Sequence, residues 1–114
     1  MTVVETVRFL KDASGLIPES DRVRLVEFVG TNPEAGDVIP ETGGVRKLRW
    51  ALSGRGKRGG ARVIYLFHSE RVPVFLLAMY GKNEKVNLSK AERNAMARLV
   101  PAIVRGYAEG RGAK

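Results

Sequence analysis

An α+β fold is what this sequence predicts, and three observations carry that reading. Apolar residues recur at helical spacing twice, at Val23, Leu25, Val26, Phe28 and Val29 and again at Ala95, Met96, Leu99, Ile103 and Tyr107. Between these segments, Val45 to Leu52 alternates apolar and basic residues. Residues 61 to 68 and 74 to 80 are near-continuous apolar runs of strand length, suited to the middle of a sheet covered on both sides. A chain of 114 residues has room for one core, so a single domain over 1–114 is expected.

Taken in order, Thr2 to Val7 is rich in β-branched residues and reads as a strand. Phe9 to Ala13 allows a helical turn before Gly15. A helix over about 18–31 follows from Pro18 at its start, Glu19 and Asp21 at the positive end of its dipole, and Gly30 with Asn32-Pro33 at its close. Residues 32 to 44 hold two prolines and three glycines without periodicity and read as an ordered surface loop. Leu48, Trp50 and Leu52 of the next strand share one face, which leaves Lys47, Arg49 and Ala51 toward water or ligand. His68 to Arg71 joins the two central strands, and Pro73 suits a strand start. Ser89 and Glu92 have capping-box spacing before a helix over about 90–108, which Pro101 should kink or break.

Charge is unevenly spread. Residues 1–43 hold four cations against eight acids, and residues 44–114 hold sixteen cations against four. Such a field attracts polyanions, which leaves nucleic acid, an anionic membrane and an acidic protein as partner classes. The absence of cysteine excludes disulfides, thiol catalysis and cysteine zinc sites, and one histidine leaves little for any other transition metal. No metal and no small-molecule cofactor are expected. The N-terminus carries acids and no long apolar run, so neither a signal peptide nor a membrane span is expected and a cytoplasmic location follows.

The segment from Gly43 to Tyr65 concentrates the cations: Arg46, Lys47, Arg49, Arg55, Lys57, Arg58 and Arg62, with no acid among them. Its tip, Gly54 to Gly59, fits the pattern G-x-G-x-x-G, but a dinucleotide site requires a helix after it, and a strand follows instead. A solvated basic hairpin tip and a phosphate cradle both remain open. Arg62 opens a strand on the side of Ile64 and Leu66, where an unpaired guanidinium is costly to bury. It must meet a carboxylate or an anion. Antiparallel pairing of the two central strands would set Arg62 beside Tyr80 and Lys82. Lys82 and Lys85 are then either solvated or part of the same site, and His68, with no histidine or cysteine partner, suits a packing or turn role.

Several blocks in order carry a family likeness: Asn32-Pro33, Gly36 to Pro40, Thr42 to Arg49, Gly54 to Tyr65 and Tyr80 to Lys85. Together they resemble the RelE superfamily of toxins from bacterial toxin–antitoxin pairs, most of all its HigB branch, over about residues 30 to 100. The resemblance implies a central, mostly antiparallel sheet of about four strands, two helices near the N-terminus and one at the C-terminus. It also implies an endoribonuclease that cuts messenger RNA on the ribosome and is restrained by an antitoxin, often one with a helix-turn-helix domain.

By that resemblance Arg62 holds the position of the phosphate-stabilising arginine and Lys57 that of a loop lysine for proton abstraction or charge stabilisation. Crowding by Arg55, Arg58 and Arg62 should lower the pKa of Lys57. Where relatives carry a second arginine this chain has Asn83, and where some supply a tyrosine as general acid it has Ser89. Lys82 or Lys85 is then expected to supply the missing charge. Arg46, Lys47, Arg49, Arg55, Arg58 and Asn83 are the expected RNA or ribosome contacts. A non-catalytic basic module of the same fold, binding RNA or the antitoxin, is the alternative.

Overall fold

A computed structural model describes the chain at residues 1–52, 56–81, 84 and 87–112, with 52, 56–59 and 108–112 described at the backbone only. The strands are β1 (Val3–Glu5), β2 (Asp37–Val38), β3 (Val45–Leu52), β4 (Gly56–Leu66) and β5 (Val74–Tyr80). The helices are α1 (Val7–Ser14), α2 (Glu19–Thr31) and α3 (Lys90–Gly112). The strands form one five-stranded sheet in the order β1-β5-β4-β3-β2. Pairing is antiparallel throughout except at the edge, where β1 runs parallel to β5. The mostly antiparallel α+β architecture expected from the sequence is therefore present, with five strands in place of about four.

Both faces of the sheet are covered, which explains why β4 and β5 are apolar on both sides. On one face α1 and α2 contribute Phe9, Ala13, Leu25 and Val29 against Leu48, Val63, Tyr65, Leu76 and Met79. On the other, Val100, with Met96, Ile103 and Val104 of α3, packs on Val45, Ile64, Leu66, Leu77 and Tyr80. The face changes are not perfectly regular. Ile64 pairs with Ala78 and Tyr65 with Leu76, so Leu77 is an extra residue, a β-bulge. Leu77 and Ala78 consequently both join the α3 side.

Caps set the helix limits. The Thr6 hydroxyl accepts from the Phe9 N–H at 3.2 Å, so the chain turns helical at Val7 and β1 ends at Glu5, shorter than the expected 2–7. Arg22 of α2 pairs with Glu5 of β1 and with Glu19. At α3, the Ser89 N–H donates to Glu92 Oε1 at 2.8 Å and the Glu92 N–H donates to Ser89 Oγ at 3.1 Å, the reciprocal box read from the sequence. Pro101 lies inside α3, which runs past it to Gly112, beyond the expected end near 108. Proline removes one backbone donor there, and the neighbouring turns hold the helix together.

The loop before β3 is tied down by Tyr65, whose buried hydroxyl donates to the Pro33 carbonyl and accepts from the Gly36 N–H, each at 2.8 Å. Within it, residues 37–38 form the short edge strand β2, which the sequence reading had as loop. Gly44 takes φ 123°, and a Cβ there would lie 2.9 Å from the Phe67 carbonyl oxygen, so only glycine lets β3 begin beside the end of β4.

Burial raises the pKa of the Tyr65 phenol above its ordinary 10.0, with the Gly36 N–H partly opposing that shift. The fold thus favours the neutral phenol: its contribution is complete below pH 10 and is lost as pH rises through the folded value. Tyr65→Phe should cost about 1–3 kcal/mol at neutral pH, because the Gly36 N–H and Pro33 carbonyl lose their partner. Urea denaturation at neutral pH and above pH 10 checks both effects: the variant starts less stable and loses less on the alkaline side. Equal alkaline losses in the two proteins would show that another group governs that limb.

Candidate nucleic-acid interface

Arg62 stands at a register where Arg49 of β3 faces it from one side and Tyr80 of β5 from the other. Alternation along the strands puts Lys47, Arg49, Arg62 and Tyr80 on the α3 face of the sheet, together with Ile64 and Leu66. Arg49 is exposed and Arg62 partly buried. Two like charges directly opposed across strands destabilise by about 0.2–1 kcal/mol. Arg62 also has its Nη1 buried without a hydrogen-bond partner. No carboxylate among the described residues lies within 4.0 Å of the Arg62 guanidinium. Of the two outcomes left open for Arg62, a carboxylate partner is therefore not found among the described residues. An oxygen of a phosphate would relieve both the repulsion and the orphaned donor.

The row of polar groups continues across β5. Arg8 of α1 donates from Nη2 to the Tyr80 hydroxyl at 3.0 Å, and its guanidinium carbon stands 5.8 Å from the Tyr80 ring centroid. Arg8 also faces Asp12 at 3.6 Å. Sequence reasoning passed over Arg8 because it belongs to the acidic N-terminal third and its partner lies 72 positions away. Nothing local signals it. The parallel register of β1 on β5 brings the start of α1 to the end of β5.

The remaining cations divide. Lys47 lies one pleat period from Arg49 on the same face, and its Nζ donates to Asn87 Oδ1 at 3.0 Å just before α3. Arg46 points to the opposite face. Its Nη1 donates to the carbonyls of Glu34 at 3.2 Å and Gly36 at 2.8 Å, and its guanidinium lies 5.8 Å from the Phe67 ring centroid. Arg46 is thereby a clamp on the loop before β3, separated by the sheet from Arg49 and Arg62. Lys57 and Arg58 fall on β4, but their side chains lie outside the described residues, as do Arg55, Lys82, Asn83 and Lys85. The convergence expected of Arg62 with Tyr80 is present, and its extension to Lys82 lies outside the described residues.

Two further groups occupy positions singled out by sequence. The hydroxyl of Ser89 is engaged as the cap of α3. His68 is exposed after the end of β4, on the connection to β5. Among the described residues no group of three or more His, Cys, Asp or Glu is placed to hold a metal ion. What the described site can do chemically is bind an anion, orient it through a guanidinium fork and stabilise added negative charge. The family model of the RelE toxin of the RelE/RelB toxin–antitoxin system matches residues 27–108, a span that contains β2 to β5 and these cations except Arg8. The chain belongs to the RelE toxin family, and that membership makes it the toxin of a toxin–antitoxin system with an antitoxin as partner.

Proposed function

We propose that this toxin is a ribosome-dependent endoribonuclease that cuts messenger RNA, inhibits translation in the cytoplasm and works without a metal. The observation that carries the reading is Arg62, a cation with a buried unbonded donor and a second arginine across the strand. RNA supplies its own nucleophile in the 2′-hydroxyl beside the scissile phosphate. An enzyme can therefore act by aligning that hydroxyl and stabilising charge on phosphorus, which cations do well.

In this reading Arg62 binds the scissile phosphate and Lys57 takes the proton from the 2′-hydroxyl or stabilises charge. Lys82 and Lys85 complete the positive surround, and Arg49, Arg55, Arg58, Lys47 and Asn83 guide RNA and ribosome. The block likeness favours the HigB branch, with a helix-turn-helix antitoxin, and the whole of 1–114 as one toxin domain. No helix among the described residues is long and apolar enough to cross a membrane.

The second reading, a non-catalytic RNA- or antitoxin-binding module, is favoured by one observation: Ser89 stands where relatives place a tyrosine acid, and its hydroxyl is engaged in capping α3. Purified toxin added to a translation extract, with primer extension on the message, separates the two. Cuts that appear only with ribosomes, and persist in chelator, support the enzyme. Ribosome binding with intact translated message leaves only the binding module.

A further inference from the structure

We propose that a pocket beside Lys47, at the junction of β2, β3 and the start of α3, receives a guanine base of the RNA strand. This rests on the reading above that RNA lies on the α3 face, and it adds the base that the site selects. The pocket has a volume of about 330 Å³, at the lower end of known ligand pockets. Half of its lining is apolar: Ile39 and Leu88, which are buried, with Val38 and Pro40. Its polar groups are Asp37, Lys47, Asn87 and Arg93.

That mixture suits a base better than a phosphate. A phosphate would meet the Asp37 carboxylate and leave the apolar half of the lining against charge, both unfavourable. Guanine presents adjacent N–H donors, at N1 and N2, that a carboxylate accepts in pairs, and acceptors at O6 and N7 that cationic donors reach. Adenine places a lone pair at N1 where guanine has a proton, and it repels the carboxylate. Cytosine offers one amino donor beside acceptors, and uracil one N–H. Only guanine satisfies the acid and the cations together.

Three features make the pocket ready for a ligand. Arg93 lines it with Nε buried and without a partner, a donor whose desolvation is uncompensated until an acceptor arrives. Asp37 makes no ion pair among the described residues, although it sits opposite Lys47 in the β2–β3 register. Asn87 accepts from Lys47, which leaves its amide N–H groups to donate. The pocket also lies one pleat period from Arg49, roughly 7 Å along the strand, so a base held there belongs to a nucleotide near the one on Arg62. Clamping of the preceding loop by Arg46 and Tyr65 holds Asp37 in place before RNA arrives.

The test is a titration of the full ¹⁵N-labelled chain, followed by NMR, with 5′-GMP, 5′-AMP, 5′-CMP and inorganic phosphate in turn. GMP should shift the amides of Asp37, Asn87 and Arg93 saturably, with an affinity about tenfold or more above that of AMP or CMP. Phosphate alone should act near Arg62 and leave these amides unmoved. Asp37→Asn should erase the preference for GMP without lowering Tm. Equal responses to the three nucleotides, or none at millimolar concentration, overturn the guanine pocket. Because binding is read without cleavage, a toxin that cuts message yet binds nucleotides indiscriminately sinks only the pocket, and one that selects GMP yet never cuts sinks only the endonuclease.

Discussion

Arg62→Ala should lower the rate of ribosome-dependent message cleavage about 10²–10³-fold, the loss typical of removing one donor aimed at developing charge. The same substitution should leave the fold intact or slightly firmer. It removes a like-charge pair with Arg49 and a buried donor that has no partner, so stability is expected to rise by about 0.2–1 kcal/mol. A residue that weakens the folded protein while serving the reaction follows the usual trade between activity and stability. Arg62→Lys keeps the charge and loses the planar fork, so it should recover only part of the rate. Single-turnover cleavage on programmed ribosomes, with urea denaturation of the same preparations, checks both halves. A wild-type rate in Arg62→Ala, or a rate loss that merely tracks unfolding, removes Arg62 from the chemistry.

Phe9→Ala should be the most damaging of the core truncations, at about 3–5 kcal/mol. Phe9 is fully buried, and it is the side chain through which the eight-residue α1 enters the core with Ala13. The same helix supports the end of β5: the Asp12 carboxylate accepts the Met79 N–H at 3.1 Å, and the Thr6 hydroxyl donates to the Leu76 carbonyl at 2.7 Å. A cavity under α1 therefore reaches the strand that carries Tyr80. Thermal unfolding should show Tm lower by about 10–20 °C. A fall of only a degree or two would mean that α1 is a surface addition and that the core is held by α2 alone.

What could be read from the chain was whatever rests on local chemistry. Val45–Leu52 and Val74–Tyr80 were legible to the residue, because alternation and unbroken apolarity are properties of the strand itself. The Ser89–Glu92 box and the start of α2 were legible for the same reason. Pairing between distant parts was harder. The parallel seat of β1 on β5 and the meeting of Arg8 with Tyr80 depend on contacts about 70 residues apart. Strand β2 is two exposed residues long, too short to show a period. Arg46 and Lys47 are adjacent cations with identical composition signals, yet the pleat sends one to clamp a loop and the other toward the start of α3. Arg93 gave no signal at all, since its meaning comes from lining a pocket with β2 and β3.

The extra residue at Leu77 gives β5 a place where its length can change. Removing Leu77 would restore plain alternation and leave the pairs beyond it in step, with Ala78 still opposite Ile64, Met79 opposite Val63 and Tyr80 opposite Arg62. Removing Met79 instead would carry Tyr80 to the α1 side and bring Gly81 opposite Arg62. Relatives and engineered variants should thus tolerate a deletion at the bulge far better than one between it and Tyr80.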